Sequence, residues 1–386
     1  MKLLESNNIL SFISNIKKYS STTSSYYVGK SKVQHYWSQN CCELEKMYPK
    51  GKFIVLLDDE PILQNVKESD ILKTRLVKYD FDDITMKFKE YGLQIINDNT
   101  VFLDVLLPEK EGYDYKPLIG LSMPLKKPEL NSGINFNEIK NELAKDLGGY
   151  CLPSLISRWT MESTIEKNYL SKFELLFRWH KTYIKCPSCG DVLIKKLSKV
   201  SCICSNCNQK FYPTINPISM TFVIDKTNEY CLLINPLNTS KNIFTLIHTF
   251  SNPGESIEES ARRGIARRIG IECNKLKLFV NFHSQPSIDN CLLFPFYCVI
   301  DKNIILNDAS NEIGSAKWFS RKEIIEAINM TYNDSLCRVF SLSTLENIIK
   351  NRIIDIEKDF YYIPPPGSLS YSLIKMWAEH PDVFFV

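Results

Sequence analysis

The sequence lacks three features: a hydrophobic run long enough to cross a membrane, a large net charge and an internal repeat. Its longest apolar run, Cys291–Ile300, has ten residues, about half of the ~20 that a membrane-spanning helix needs. The net charge is only +3 over 386 residues, which is too weak to argue for a nucleic-acid partner. These absences exclude a membrane-spanning protein, a strongly basic protein and a repeat array. The chain is long enough for two globular domains and a small module.

Acidic residues are missing from the N-terminal segment. Residues 6–42 contain no Asp or Glu, yet they carry four lysines and many Ser and Thr. This composition is typical of a mitochondrial presequence, whereas the absence of arginine from the same segment favours an ordinary tail. We therefore expect residues 1–40 to be a mitochondrial presequence or a tail, and the protein to be mitochondrial or otherwise cytoplasmic. The four lysines are Lys17, Lys18, Lys30 and Lys32.

Four cysteines are spaced as the ligands of a metal ion. Cys186-x-x-Cys189 is followed, after fourteen residues, by Cys204-x-x-Cys207. Two such pairs at this spacing predict a structural zinc site, in which thiolate ligation stabilises a short hairpin with little core of its own. Cys202 is the nearest competing thiol, but its use in place of Cys204 would break the two-residue spacing.

The other cysteines do not form a disulfide pattern. The chain has thirteen in all, an odd number, and Cys231, Cys291 and Cys298 lie in apolar runs. We expect these three to be reduced core residues and the protein to occupy a reducing compartment. His180 lies near the first zinc ligand, and since four cysteines already complete that site, we expect it to be packed or hydrogen-bonded rather than ligating.

The stretch Thr249–Ile271, with the sequence TFSNPGESIEESARRGIARRIGI, resembles the Nudix box. That motif runs Gly, five residues, Glu, seven residues, Arg-Glu, an aliphatic residue, any residue, Glu-Glu, any residue, Gly and an aliphatic residue. Its latter half predicts a helix from about Ser256 to Ile269. The residues that match the motif are Glu255, Arg263, Ile265, Gly270 and Ile271.

The chain departs from the motif at its opening glycine and at three carboxylates. Thr249 stands in place of the glycine, and Gly264, Arg267 and Arg268 stand in place of the carboxylates. These last three positions are spaced i, i+3 and i+4 and therefore share one helix face. Carboxylates on that face would bind Mg²⁺ or Mn²⁺, and the metal would bridge a pyrophosphate and activate water.

The replacements reverse the charge of this face. At ~4 Å and an effective dielectric of ~20, each pair of unit charges interacts by about 4 kcal/mol. Two arginines in place of carboxylates should therefore abolish metal binding here. The remaining catalytic candidates are Glu255 and Glu312, the latter in a segment that resembles the strand carrying a further metal-ligand Glu. A weakened site built from these two stays open as an alternative.

Four further segments resemble the zinc-ribbon NADH pyrophosphatases, a family of Nudix hydrolases, and they occur in the family's order from Phe173 to about Trp377. The resemblance implies a Nudix α/β/α sandwich with a mixed sheet, preceded by a small zinc ribbon and a divergent β-rich N-terminal domain. It extends to the mitochondrial branch of the family. The four segments are LLFRWHKTYIKC, KFYPTINP, HSQPSIDNCLLF and YIPPPGSLSYSLIKMW.

The resemblance also implies a ligand. Members of the family cleave the pyrophosphate of NADH and NAD⁺ into a mononucleotide and AMP, and some remove NAD caps from RNA. Aromatic residues that stack the base in relatives match Tyr212 and Phe250, which could equally be core residues, and Gln285 lies in the retained SQP segment. We expect an NAD(H)-like dinucleotide as ligand, no nucleic acid other than NAD-capped RNA, no membrane and a homodimer.

Three functions are compatible with these residues. The first is a dinucleotide-binding protein whose hydrolysis is weak or lost. The second is an active NAD(H) diphosphatase with a rearranged metal site. The third is a metal-independent nucleotide-binding module, in which Arg267 and Arg268 grip the pyrophosphate. The predicted domains are a tail at 1–40, an N-terminal domain at 41–165, a helix plus zinc ribbon at 166–214 and a Nudix domain at 215–386.

Overall fold

The structure is a computed structural model, and its described part divides into two compact units. The first unit comprises the described residues within 1–62, 77–149 and 176–213, and the second those within 63–76, 150–175 and 214–386. No helix in the described ranges is long and apolar enough to cross a membrane. The residues described are 24–66, 73–107, 115–125, 136–237, 243–273, 275–279, 290–304, 306, 312–333 and 361–384.

The first unit is built on a sheet in which β1 (Lys52–Leu57) is central. It pairs in parallel with β6 (Lys116–Met123), β6 pairs antiparallel with β5 (Thr100–Leu106), and β1 pairs antiparallel with β2 (Glu60–Asn65). Five of the six β1 residues are buried, as expected of an apolar strand covered on both faces. The short strand β4 (Tyr79–Asp80) also pairs antiparallel with β1, whereas β3 (Thr74–Leu76) and β7 (Tyr150–Cys151) fall within the residue ranges of the second unit.

Part of the segment predicted to be a presequence or tail forms a helix, which packs against this sheet. It spans Ser24–Gln39, and Lys30 forms an ion pair of 2.6 Å with Asp104 of β5. The other helices of the N-terminal half are Cys41–Lys46, Phe81–Glu90 and Phe136–Asp146, with 3₁₀ turns at Tyr48–Lys50 and Asn97–Asn99.

The second unit contains a six-stranded mixed sheet with the order β14-β15-β11-β12-β16, with β13 paired to β11. The pairing of β11 with β15 is parallel, and the others are antiparallel. The strands are β11 (Asn216–Asp225), β12 (Tyr230–Pro236), β13 (Ile247–Phe250), β14 (Leu276–Leu278), β15 (Cys291–Ile300) and β16 (Ile313–Ser320).

Helices cover both faces of this sheet. The box helix, Ile257–Ile269, buries Ile265 against Val223 on one face. On the other face, the helices Arg321–Asn333 and Leu369–Glu379 contribute to a core around Phe222. The predicted α/β/α sandwich with a mixed sheet is confirmed. The C-terminal helix is followed by a 3₁₀ turn at Pro381–Phe384.

Two helices precede the zinc ribbon in the chain. They span Ser154–Thr160 and Thr164–Thr182. Between them Met161 adopts an extended backbone and bridges to Thr74, whose carbonyl accepts a 3.3 Å hydrogen bond from the amide of Glu162. Pairing with strand β3 therefore separates the two helices at Met161.

Two apolar runs of the second unit form only short regular strands. In the run 242–248 the strand β13 begins at Ile247, after isolated bridges at Ile243 and Thr245. In the run 275–284 the strand β14 covers Leu276–Leu278, and the end of the run lies outside the described residues.

Candidate active site and cysteine cluster

The box helix begins and ends with strong local signals. Ser256 caps its first turn by accepting a hydrogen bond from the amide of Glu259, and the Glu259 carboxylate accepts one from the amide of Ser256. This reciprocal capping box satisfies two amides that have no partner within the helix. Gly270 ends the helix in the left-handed conformation, at φ 69°, which glycine adopts without steric cost. The predicted bounds are confirmed, and Glu259 is a capping residue.

Gly264 lies where the box helix packs closely against β13. A β-carbon at this position would lie 2.0 Å from Thr249 Oγ1 and 2.9 Å from Thr249 Cβ, closer than non-bonded atoms approach one another. Gly264 is buried, and Thr249 is only 7% exposed. The two departures from the motif therefore face each other: the threonine side chain occupies space that a side chain at position 264 would need.

Glu255 is held by Arg263. The guanidinium donates to both carboxylate oxygens, with Nε to Oε1 at 2.6 Å and Nη2 to Oε2 at 2.9 Å. The same Nη2 donates to the carbonyl of Phe250 at 2.6 Å, which ties the helix to the end of β13. The paired guanidinium lowers the pKa of Glu255 to about 2, so this carboxylate is ionised and engaged.

Glu312 is held by the two arginines that replace carboxylates. Arg267 donates to Glu312 Oε1, and Arg268 Nε lies 3.7 Å from Glu312 Oε2. Arg268 also donates to the carbonyl of His248 and, at 3.2 Å, to Thr249 Oγ1. Arg268 is partly buried, and burial together with the neighbouring Arg267 charge lowers its pKa.

Five charged side chains are joined here by ion pairs. Glu255 and Glu312 contribute two negative charges, and Arg263, Arg267 and Arg268 contribute three positive ones, which leaves this ion-paired cluster with one positive charge in excess. Both carboxylates already accept hydrogen bonds from guanidinium groups. The arrangement does not fit a hard divalent cation, whose preferred ligands are oxygens with negative charge to offer. It is suited to anions, since guanidinium forks match phosphate oxygens.

The predicted base-stacking aromatics are both at the surface. Phe250, at the end of β13 in the second unit, is 59% exposed. Tyr212, in the first unit, is 63% exposed. Neither ring belongs to the core, which was the alternative considered for both. Gln285 lies outside the described residues, so its predicted role in substrate binding stays a prediction.

The four predicted zinc ligands come together in the first unit. The Sγ atoms of Cys186, Cys189, Cys204 and Cys207 all lie within 4.8 Å of one another. A hairpin of β8 (Leu193–Lys195) and β9 (Cys202–Cys204), extended by β10 (Lys210–Phe211), carries the second pair. Among the residues that the structure describes, this is the group of His, Cys, Asp or Glu side chains able to hold a metal ion.

Cys202 and His180 are not part of this cluster. The β9 strand buries Cys202 in the small apolar core under the hairpin, together with Trp179 and Leu193. His180 is 7% exposed, and burial lowers its pKa to about 3, so the ring is neutral and packed. The remaining cysteines named above lie in the core: Cys231, Cys291 and Cys298 are at most 2% exposed.

Known proteins resemble the chain along nearly its whole length. It is 30% identical over 359 residues to an NAD-capped RNA hydrolase, ndx-9, of Caenorhabditis elegans, covering 93% of this chain and 91% of the relative. It is 22% identical over 356 residues to the mitochondrial NAD(P)H pyrophosphatase NUDT13 of Mus musculus, covering 92% of each. The human form of that protein is 26% identical over 219 residues, covering 55% of each chain. No family model matches.

The sandwich, the box helix and the cysteine ribbon define a protein of the Nudix class. With the whole-length relatives beside them, the chain belongs to the NADH pyrophosphatase family of Nudix hydrolases.

Solved Nudix structures also match parts of the chain. A Nudix hydrolase of Nitrosomonas europaea matches with 17% identity and a TM-score of 0.29, covering 47% of this chain and 97% of that one. The Nudix domain of Shewanella oneidensis NrtR, solved with ADP ribose, matches with 10% identity and a TM-score of 0.27, covering 37% and 90%. At these TM-scores the family assignment rests on the sequence relatives.

Sequence reasoning missed the contacts that organise the box. It treated the loss of the glycine at position 249 and the gain of one at 264 as separate departures, whereas the two positions are in contact. The signal was present, because a side chain is gained at position 249, where the motif has glycine, and one is lost at position 264, where the motif has glutamate. The partners of Arg267 and Arg268 had no such signal, since long side chains reach several acids from one helix position.

We expect Gly264→Ala to destabilise the second unit, although alanine favours helices by about 1 kcal/mol over glycine. The added β-carbon overlaps Thr249, and overpacking of this kind costs ~1–3 kcal/mol. Combining it with Thr249→Gly should recover part of the loss. Urea unfolding of the two single variants and the double variant measures the coupling. Additive effects would show that the two sites do not compete for space.

We expect Arg263→Gln to return the pKa of Glu255 from about 2 towards its ordinary 4.5. The folded-state value is depressed, so the pair stabilises the protein fully above pH 4.5, and this contribution is lost as the pH falls towards 2. The wild type and the variant should therefore differ most in stability near neutral pH and converge in acid. Glutamate carboxyl titration by NMR gives the pKa directly. An unshifted Glu255 in the variant would contradict the pairing.

Proposed function

We propose that the protein binds an NAD(H)-like dinucleotide through the outer face of the box helix, and that its metal-assisted pyrophosphate hydrolysis is weak or lost. The observation that carries the proposal is the state of the two residual carboxylates. Glu255 is engaged by Arg263, and Glu312 by Arg267 and Arg268. A metal ion would have to displace these guanidinium groups and then remain beside their charges.

Retained features of the same face support the binding half of the proposal. Phe250 is exposed and offers a ring face to a base, and stacking of this kind tolerates any base. The Arg267 side chain is 53% exposed and keeps N–H groups beyond the one given to Glu312. These donors can hold a pyrophosphate without metal. The roles of Tyr212 and Gln285 remain predictions from the resemblance.

A second candidate is an active NAD(H) diphosphatase. The relatives favour it, because one is an NAD-capped RNA hydrolase and the other an NAD(P)H pyrophosphatase. Hydrolysis would then require Glu255 and Glu312 to leave their arginines when metal and substrate bind. The positive excess of this face makes it the less favoured candidate.

We also propose that the four-cysteine cluster holds a structural Zn²⁺. Thiolate ligands within 4.8 Å of one another suit a tetrahedral site with Zn–S distances of ~2.3 Å. The amides of Asn206 and Cys207 point at Cys204 Sγ, each at 3.4 Å, and stabilise a thiolate there. Mitochondrial localisation and a homodimer remain proposals: the former rests on the acid-free N-terminal segment and the name of the mouse relative, the latter on the family resemblance.

For the zinc site, we expect the purified protein to contain one Zn²⁺ per chain and Cys189→Ser to lose it, because three thiolates hold the ion less tightly than four. Atomic emission spectroscopy measures the metal, and thermal unfolding should show a lower midpoint. Cys202→Ala is the matched control and should keep its zinc. Zinc loss in that control, with retention in Cys189→Ser, would reassign the ligands.

For the box, we expect NADH turnover with Mg²⁺ or Mn²⁺ to lie more than about 100-fold below that of a relative retaining the three carboxylates, since even groups that only support metal ligands contribute ~10–100-fold. Calorimetry should detect NADH binding in EDTA. Arg267→Glu should weaken it, whereas Arg262→Glu, the same charge change on another face of the helix, should not. Zinc-replete protein is used throughout.

Two outcomes would overturn parts of this proposal. Ordinary turnover that is lost in Glu255→Gln or Glu312→Gln would establish the active diphosphatase instead. Binding that needs Mg²⁺ would reject the metal-independent mode. As a further check, the combined changes Thr249→Gly, Gly264→Glu, Arg267→Glu and Arg268→Glu should create a Mg²⁺-dependent rise in thermal stability that the wild type lacks.

A further inference from the structure

The turn that joins β8 to β9 is buried, although it lies at the tip of a hairpin. Leu197 is 8% exposed, Ser198 0% and Lys199 2%. Lys199 adopts the left-handed conformation, at φ 55°, and its amide donates to the carbonyl of Lys196 at 2.9 Å. Connecting turns ordinarily lie at the surface, so the burial of three successive residues, one of them a lysine, indicates that this turn is packed against another element.

That element is the N-terminal helix, Ser24–Gln39, at its carboxyl end. Ser198 Oγ donates to the carbonyl of Ser38 at 2.9 Å, and Lys196 Nζ donates to Gln39 Oε1 at 2.5 Å. The last four carbonyls of a helix have no partner within it. The serine of the turn therefore supplies a donor that the helix itself cannot.

Two further hydrogen bonds fix the turn beside the helix. The amide of Leu197 donates to Cys41 Sγ at 3.3 Å, just beyond the end of the helix. Lys199 Nζ donates to the carbonyl of Asn97 at 2.9 Å. All these residues belong to the first unit, so the hairpin turn is docked on the N-terminal domain by several directed contacts at once.

The N-terminal helix has little other support. Among its side chains at 28–39, Trp37 is the buried one, and it packs edge-on against Phe102 with ring centroids 6.1 Å apart. Lys30 pairs with Asp104 at 2.6 Å. A helix of 16 residues without alanine is marginal in water on its own. Its stability therefore depends on its contacts with β5 and with the hairpin turn.

The hairpin that carries this turn depends on the cysteine cluster. Two of the five buried side chains in its core, Cys186 and Cys204, are members of the cluster. Cys204 also pairs with Leu193 of β8 in the hairpin ladder. Ligation of a zinc ion by the four thiolates supplies the stability that so small a core does not. The shape of the turn is thus linked to the metal site through a single strand pair.

We infer that a zinc ion in the cysteine cluster holds the N-terminal helix on its sheet through the hairpin turn, so that loss of the ion releases the helix. Release would uncover the side chains of β5 that the helix packs against, Phe102 among them. The inference rests on the proposed zinc site and adds a consequence to it: the ion stabilises a segment that contains none of its ligands. It concerns the first unit and is independent of the box helix.

The test is amide hydrogen exchange of the full chain, measured by mass spectrometry with zinc bound and after its removal by a chelator under reducing conditions. We expect the amides of residues 28–39 to exchange roughly tenfold faster without zinc, because the loss of one or two hydrogen bonds corresponds to about that factor. Amides of β1 should exchange at an unchanged rate. Zn²⁺ added back should restore the protection of the helix.

Ser198→Ala tests the contact without altering a zinc ligand. The variant should keep its zinc and exchange faster in the last turn of the helix, because the carbonyl of Ser38 loses its donor. Ser205→Ala is the matched control. Its hydroxyl donates to the carbonyl of Val192 within the same hairpin, at 3.0 Å, so its loss should leave exchange in the helix unchanged.

Zinc content is measured on every sample, which separates the possible failures. Absence of zinc from the wild type, even after incubation with Zn²⁺, would overturn the zinc proposal and this inference together. Zinc loss without faster exchange in the helix would overturn this inference alone. Faster exchange throughout the first unit, β1 included, would show that zinc stabilises the whole unit rather than the helix. Equal effects of Ser205→Ala and Ser198→Ala would show that the turn does not hold the helix.

Discussion

The close approach of the box helix to β13 is the constraint on which the rest of the candidate site depends. Gly264 allows it, since any side chain there would meet Thr249. Once the helix lies this close, the carbonyls of His248 and Phe250 come within reach of Arg268 and Arg263. The arginines therefore donate hydrogen bonds to the backbone of β13 as well as to the carboxylates. The box helix is thus held against the strand by these hydrogen bonds in addition to the packing of its apolar face.

The same contacts explain how a face with excess positive charge is compatible with a folded protein. Each guanidinium has a carboxylate, a carbonyl or both as a partner, which limits the cost of placing like charges on one helix. Burial and the Arg268 charge lower the pKa of His248 to about 4, so this ring adds no further charge at neutral pH. In this respect the guanidinium groups offset the negative charge of the carboxylates, as a divalent cation between them would.

Local signals predicted much of this structure. The cysteine spacing located the cluster, and the Nudix-box pattern located the box helix, because both depend on residues near in sequence. The α/β/α sandwich was predicted from the resemblance to the family, and the structure confirms it. Contacts between distant segments were harder: the break at Met161 arises from pairing with Thr74, and the Gly264–Thr249 contact joins residues fifteen apart. Propensity and periodicity carry no information on such pairings.

The packing of Thr249 against Gly264 has a consequence for the evolutionary paths open to this protein. A single substitution that returned a glutamate to position 264 would meet the threonine, and a single substitution that returned a glycine to position 249 would leave a void beside a second glycine. Each step alone is costly, and only the pair together is compatible with the packing. The two residues are thus coupled, and a carboxylate at position 264 is compatible with this packing only together with a smaller residue at position 249.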